Sequence, residues 1–383
     1  MNKNNSVSFD KWEKKCKHIK NINNDIDRVR WHYIGCMVFY KEVSNIIRNA
    51  ISFFVLIFVF FCSTNRYSKR GKMVDALIIA PNEQYLLNSL DIPEELKNRY
   101  SNLEKYSIKK NSLYREIFSC QIDKSARHII KECLKKYPFA FYMNLSIILH
   151  LSRYYKLILQ YNPKAFITTL TELDYTTSII TNYCEEKGIK YIGVQHGEYC
   201  YNPAMAYVRF SEYYAWDKET IENMELVNTK IDYAHIYTPE RLTPQFHKNS
   251  NPQFFLTFYL SGENETDLVK LKEVLLRFTR NGYNCCVRKH PHFLSVDLIH
   301  NLFDKTNIVV EDNSAVSIGE SISNTKYIVS HISTVLTQGF VNNMPIVLDD
   351  VIGDLNYLKK IHYPNIKRAT MLFSELIDVS LNK

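Results

Sequence analysis

Two successions of short, continuously apolar runs constrain this chain more than any other feature of its sequence. The first comprises residues 74–80 (VDALIIA), 165–170 (AFITTL), 190–194 (KYIGV) and 207–216. The second comprises 254–260 (FFLTFYL), 284–288, 307–310 (NIVV), 327–329 and 345–348 (PIVL). Unbroken apolar runs of this length read as strands buried on both faces, as in parallel sheets, whose crossovers are usually helical. Helical spacing fills the intervals. Residues 83–160 read as mostly helical, 174–187 as a helix stopped by Gly188, 265–280 as an amphipathic helix closed at Gly282, and 318–323 and 333–342 as shorter helices. Residues 239–252 hold three prolines and little pattern, and read as a linker. The expectation is an α/β chain of two Rossmann-like domains with parallel sheets, 73–250 and 251–383, preceded by a helical segment over 1–72.

Glycine narrows the kinds of nucleotide site such domains can carry. Only ten glycines occur in 383 residues, and no two are spaced as G-x-G. That excludes the G-x-G-x-x-G dinucleotide fingerprint, the G-x-x-x-x-G-K-[ST] loop and the Gly-rich loop of protein kinases. A phosphate site here must use helix N-termini and side chains. Nine cysteines, an odd number with no C-x-x-C, lie mostly in apolar runs and read as reduced, buried thiols of a cytosolic compartment. The same spacing argues against zinc.

Charge is uneven. Residues 1–72 hold 14 Lys and Arg against 5 Asp and Glu, a net of +9, while the remaining 311 hold 34 against 35, a net of −1. A nucleic-acid enzyme would more often carry a basic stripe across its main body, so no nucleic-acid partner is expected. The basic segment also contains the most apolar stretch, 51–62 (ISFFVLIFVFFC). Its 17 uncharged residues between Arg48 and Arg66 would cover about 25 Å as a helix, short of a hydrocarbon core of ~30 Å. Lys41 and Arg48 precede it, and Arg66, Lys69, Arg70 and Lys72 follow. Cations on both sides fit a segment that dips into an acidic leaflet and returns; a buried core helix and a single span are the competing readings.

Ligands of open α/β sheets bind beyond the carboxyl ends of strands. Four polar clusters stand there: Thr171 to Asp174 with Glu172 between, Gln195-His196-Gly197-Glu198, Arg288-Lys289-His290-Pro291-His292, and Ser330-His331-Ile332-Ser333-Thr334. Ser261-Gly262 ends a fifth strand. The 330–334 cluster runs into a helix N-terminus, where N–H groups and hydroxyls make an anion site without glycine, or Ser333 simply caps the helix. Arg288, Lys289 and His290 beside a stiffening proline suit a phosphate diester or nucleotide leaving group. His290 and His292 would point to opposite sides, which disfavours metal. A neutral imidazole at His196 fits proton removal from a hydroxyl, with Glu172, Asp174 and Glu198 as alternative bases. A core histidine satisfied by backbone is the bland alternative for His196.

In this order the clusters resemble GT-B glycosyltransferases of bacterial surface polysaccharide (capsule and lipopolysaccharide) synthesis, above all the sialyltransferase and polysialyltransferase groups, with similar marks in CDP-glycerol glycerophosphotransferase-like enzymes. The resemblance rests on KGIKYIGVQHGEY followed by YYAWDKET, on His290-Pro291, and on Ser330, Ser333 and Thr334. It covers roughly 74–350 and is one of pattern. It implies two Rossmann-like domains facing a cleft, with CMP or CDP phosphate on the H-P and Ser/Thr motifs and the acid/base residue in the N-terminal domain. The chain departs from it in lacking an acidic D/E-D/E-G triplet and in having Gln338 where many such transferases have a ribose-binding Glu.

The expected activity is metal-independent transfer of a sugar, sialic acid or a related acid sugar, from a CMP-linked donor to a lipid-linked or polysaccharide acceptor. Nucleotide-binding residues would be Arg288, Lys289, His290, Pro291, Ser330, Ser333, Thr334, Ser261 and Gly262; catalysis would fall to His196 or to Glu172, Asp174 or Glu198. No cofactor is expected beyond the nucleotide-sugar co-substrate. The place of action would be the cytoplasmic face of the inner membrane. Alternatives are a CDP-polyol phosphotransferase, a nucleotide-sugar 2-epimerase and a non-catalytic membrane scaffold.

Overall fold

The computed structural model describes residues 12, 22, 24–40, 45–62, 71–80, 91–108, 113–169, 171–243, 249–290 and 296–381. The chain divides into two compact units: one formed by Asn4–His196 with Asn202–Tyr237, the other by Thr238–Lys383 with Gly197–Tyr201. The division falls at Tyr237, ahead of the proline-bearing segment read as a linker, part of which (244–248) lies outside the described residues.

The first unit is built on six strands: β1 (Ala76–Ala80), β2 (Leu103–Ser107), β3 (Ala165–Thr168), β4 (Lys190–Val194), β5 (Arg209–Ala215) and β6 (Lys230–Ile236). They lie in the order β2-β1-β3-β4-β5-β6, parallel throughout. β1 and β3 are buried along their whole length and β4 beyond Lys190, as their apolar runs require. The edge strands β2 and β6 were not readable from apolar runs. LEKYS and KIDYAHI mix polar with apolar residues, and none of their side chains is fully buried.

The second unit holds β7 (Phe254–Tyr259), β8 (Cys285–Arg288), β9 (Val309–Glu311), β10 (Thr325–Ser330), β11 (Ile346–Leu348) and β12 (Met371–Leu372). Their order is β12-β11-β10-β7-β8-β9, again all parallel. Counted within the unit this is 3-2-1-4-5-6 read from its far edge, the doubly wound mononucleotide order. Its core joins Leu256, Phe258 and Val287 of the sheet to Leu271, Leu275 and Phe278 of the Glu265–Arg280 helix and to Phe373 and Leu376 of the C-terminal one. Each such side chain removed from water contributes about 1.5–3 kcal/mol before chain entropy is charged. Gly339 lets the Thr334–Val341 helix lie directly on this sheet: a Cβ there would meet Ile328 and Ile346 at 2.6 Å. The described cysteines are free thiols, and burial pushes Cys285 and Cys286 up to about 12.

Among the described residues of 1–72, nothing sets a distinct arm apart. The Asp25–Tyr40 helix belongs to the first unit. Arg209 bonds Asp25 at 3.0 Å, Lys136 bonds Asp27 at 2.8 Å, and the buried His32 ring meets the Ala204 carbonyl at 2.7 Å. The Asn45–Cys62 helix packs along the Phe141–Tyr161 helix, burying Ser52, Leu56 and Val59. Among the described residues no helix is long and apolar enough to cross a membrane. Residues 63–70 lie outside the described ones.

Candidate functional site

Parallel α/β sheets open a crevice where the strand order reverses, because crossovers on the two sides leave in opposite directions there. In the first unit the reversal lies between β1 and β3, and in the second between β7 and β10.

The β3 end runs through Thr168 and Thr169 into a single 3-10 turn, Thr171–Leu173. Thr168 Oγ1 lies 2.9 Å from Thr171 Oγ1, and Thr177 Oγ1 donates to the Thr171 carbonyl at 2.7 Å, which fixes the turn. Glu172 points inward and is 1% exposed; Tyr213 donates its hydroxyl to Oε1 at 2.9 Å. Asp174 accepts from the Thr176 N–H and hydroxyl at 2.9 and 2.8 Å, and its carboxylate lies 3.6 Å from His150 Nδ1. Burial opposes ionisation of Asp174, but His150 and the two Thr176 donors outweigh it and hold the carboxyl below its usual range. His150 is pushed down, chiefly by burial, with Asp174 acting against the shift. The pair is therefore a carboxylate beside a neutral imidazole near neutral pH, joined through Thr176, whose hydroxyl is 2.7 Å from His150 Nδ1. Thr169 Oγ1 is buried beside this turn with no hydrogen-bond partner. Neither His150 nor Thr176 was singled out in sequence, because His150 lies within a long helix and Thr176 in the buried turn before another, with no motif around either.

His196 stands one strand over, just past β4, half-buried. The turn before it is fixed by Gln195, whose side chain accepts from the Trp216 N–H at 2.6 Å while its own N–H donates to the Tyr214 carbonyl at 2.9 Å. Glu172, Asp174 and His196 are thus ends of two adjacent strands of one sheet. Glu198 is not with them: with Gly197–Tyr201 it belongs to the second unit. There it accepts from the Thr337 hydroxyl and pairs with Arg368 at 3.4 Å, both side chains under a tenth exposed. Asn365 donates to Thr337 Oγ1 at 3.2 Å and to the Tyr363 hydroxyl at 3.0 Å, completing a buried polar network. Its carboxylate is thus held by a hydroxyl and a guanidinium of the same unit.

The reversal of the second unit brings together Ser261, Gly262, Ser330, Ser333 and Thr334. Ser330 donates its hydroxyl to the Tyr259 carbonyl at 2.7 Å, tying β10 to β7 at their carboxyl ends. Ser333 caps the Thr334–Val341 helix, its side chain accepting from the Val335 N–H at 3.3 Å, as the sequence predicts. His331 packs on Gly353, where a Cβ would fall 1.9 Å from its Nδ1, and that nitrogen lies 3.1 Å from the Asp349 carbonyl. Gly262 takes a positive φ of 119°. The N–H groups of Ser261 and Gly262 and the Ser261 hydroxyl all donate to the Glu263 carboxylate, at 2.7, 3.0 and 2.9 Å. This loop therefore has the geometry of an anion nest, already holding a carboxylate from its own chain.

The basic cluster lies on the neighbouring strand. Arg288 is buried and bonds Glu311 at 2.5 Å and the Val316 carbonyl at 2.9 Å, so its charge serves the junction of β8 with β9. Lys289 lines a cavity of about 280 Å³ with Ile299, Val310, Asp312 and Asn313. Asn313 donates to the Lys289 carbonyl at 2.9 Å, and its own Oδ1 is buried without a partner. His290 is half-buried beside it; Pro291 lies outside the described residues. Among the described residues no three His, Cys, Asp or Glu side chains converge so as to hold a metal ion.

Two units of parallel β-sheet and α-helix, each with polar groups at its reversal, are consistent with a GT-B fold. No protein-family model matches the chain, and no curated protein matches its sequence. Among solved structures it is similar to UDP-N-acetylglucosamine 2-epimerase from Rickettsia bellii, with 10% identity, TM-score 0.45 and coverage of 81% of this chain and 88% of that one. It is similar to UDP-GlcNAc 2-epimerase from Methanocaldococcus jannaschii, with 11% identity, TM-score 0.44 and coverage of 80% and 92%. For the glycosyltransferase SnogD from Streptomyces nogalater the values are 11%, 0.35, 73% and 81%.

Proposed function

We propose that the chain is a nucleotide-sugar enzyme in which the second unit holds the nucleotide phosphates and the first supplies proton transfer. The observation that carries this reading is the doubly wound strand order of the second unit, with the N-terminus of the Thr334–Val341 helix standing at its reversal. Such a terminus binds phosphate oxygens without a Gly-rich loop. Ser330, Ser333, Thr334, Ser261 and Gly262 would face the phosphates, with Lys289 and His290 toward the rest of the nucleotide. Hydrogen bonds and fixed positive charge would stabilise the departing phosphate. His196, or the Asp174–His150 pair, would take the acceptor proton.

The finer reading is transfer of an acid sugar from a CMP-linked donor to a lipid-linked or polysaccharide acceptor. A second reading, 2-epimerisation, is favoured by the placing of Asp174 and His150 3.6 Å apart, since epimerisation needs a proton removed and returned at one carbon with no acceptor. Calorimetric titration with CMP, CDP and UDP tests the shared core. Binding of at least one is expected, and no heat with any of them leaves a non-catalytic scaffold. Incubation of donors alone separates the two chemistries. A changed sugar on an intact nucleotide means epimerase, whereas release only on adding an acceptor means transferase; a CDP-polyol consumed in preference would shift the reading to polyol-phosphate transfer.

A further inference from the structure

The Asn45–Cys62 helix buries one face and leaves the other unpartnered. Ser52, Leu56 and Val59 face the Phe141–Tyr161 helix, while Ile51, Phe53, Phe54, Ile57 and Phe58 are exposed, Phe54 at 71%. Two further exposed phenylalanines extend this face from other elements: Phe118 at 59%, ending the Leu113–Phe118 helix, and Phe139 at 79%, in the turn before Phe141. The rings are continuous with the helix. Phe58 meets Phe118 at 5.1 Å between centroids, Phe53 meets Phe141 at 4.9 Å, and Phe141 meets Phe139 at 6.4 Å. Asn49 locks the arrangement, donating to the Phe139 carbonyl and accepting from the Tyr142 N–H, both at 2.9 Å.

A ring of this kind covers ~150–250 Å², so the exposed fractions amount to roughly 500 Å² of apolar area, within or above the ~300–600 Å² of the largest patch on an ordinary monomer. Cations stand near it in sequence: Arg48 is in the first turn of the helix, Arg66 follows it, and Lys135, exposed, lies four residues before Phe139. The nearby acids are neutralised, Asp27 by Lys136 at 2.7 Å and Glu116 by Arg153 at 2.6 Å.

We infer that this face docks on an anionic phospholipid surface, with the helix lying in the plane of the bilayer. A helix packed against a folded unit cannot cross, and exposed phenylalanines in a segment whose sequence is rich in cations match the interface between acyl chains and acidic headgroups. The docking surface is thus built jointly by three elements of the first unit. It stands independently of the nucleotide reading.

The test is flotation of the full chain with phosphatidylcholine vesicles made with and without phosphatidylglycerol. The chain should float with the anionic vesicles, less with the neutral ones and less at high salt. Phe54→Glu and Phe139→Glu should each lower the partition coefficient about tenfold or more, since each withdraws a ring from the acyl boundary. Phe139→Glu lies in a turn outside the packed helix, so it reads docking even if Phe54→Glu unfolds. Far-ultraviolet circular dichroism and nucleotide titration of Phe139→Glu should match the parent. A folded chain that does not float, flotation unaffected by Phe139→Glu, or a concentration-dependent dimer dissolved by that same change would overturn the inference; the last would give the face to a second copy.

Discussion

At its strand reversal the first unit gathers titratable side chains: Asp174 and His150 3.6 Å apart, Glu172 buried two residues before, and His196 one strand over. At the corresponding place the second unit gathers groups that hold charge without titrating near neutrality: the Ser261 and Gly262 N–H groups, Ser330, and the Ser333 cap. Both frames are six parallel strands. The difference teaches that the βα frame fixes where a ligand meets the sheet, while the first few residues after each strand choose the chemistry.

The widest separation expected between the two regions is kinetic. His196→Ala should lower turnover by about 10²–10⁴-fold, the usual worth of a general base, while leaving nucleotide affinity near its parent value. If affinity falls and turnover does not, the division of labour is broken. In the second unit the largest effect should come from Arg368→Ala, which strands Glu198 in the interior. Removing one partner of a buried pair costs about 3–5 kcal/mol, readable as a lowered urea midpoint, and Glu198→Gln in the same chain should recover part of it.

A third expectation concerns acid. His32 has no solvent exposure, and burial lowers it to about 4 against the opposing pull of the Ala204 carbonyl and Asp174. In the unfolded chain it returns to its ordinary 6.5 and binds the proton first as pH falls. The stability it confers is complete above pH 6.5 and is lost between there and about 4, some ~3 kcal/mol in all. Urea titrations across that range should show the loss, and His32→Leu should flatten it. Smallest is Ser333→Ala, which removes a helix cap worth ~1 kcal/mol. If the cap also faces phosphate, nucleotide affinity should fall while acid sensitivity stays unchanged.

Sequence carried the fold's centre better than its rim. Apolar runs such as ALIIA and FFLTFY mark strands buried on both faces, whereas β2, β6 and the two-residue β12 lack that pressure on their composition. The extra strand inside 83–160 was hidden by the helical spacing around it. At the site, residues adjoining strand ends were legible by position, including Ser333 as a cap. Their partners were not. Glu263 filling the nest, Arg368 reaching Glu198 across 170 positions, and His150 meeting Asp174 depend on tertiary approach and leave no local spacing to read. Arg288 shows the converse: a cation beside a strand end is as readily spent on a neighbouring strand's carboxylate as on a ligand.

Glu198 and Arg368 also set a timetable. During synthesis the stretch Gly197–Tyr201 emerges long before the residues that enclose it, so Glu198 must stay hydrated until Arg368 has left the ribosome. The second unit cannot finish from its own contiguous stretch.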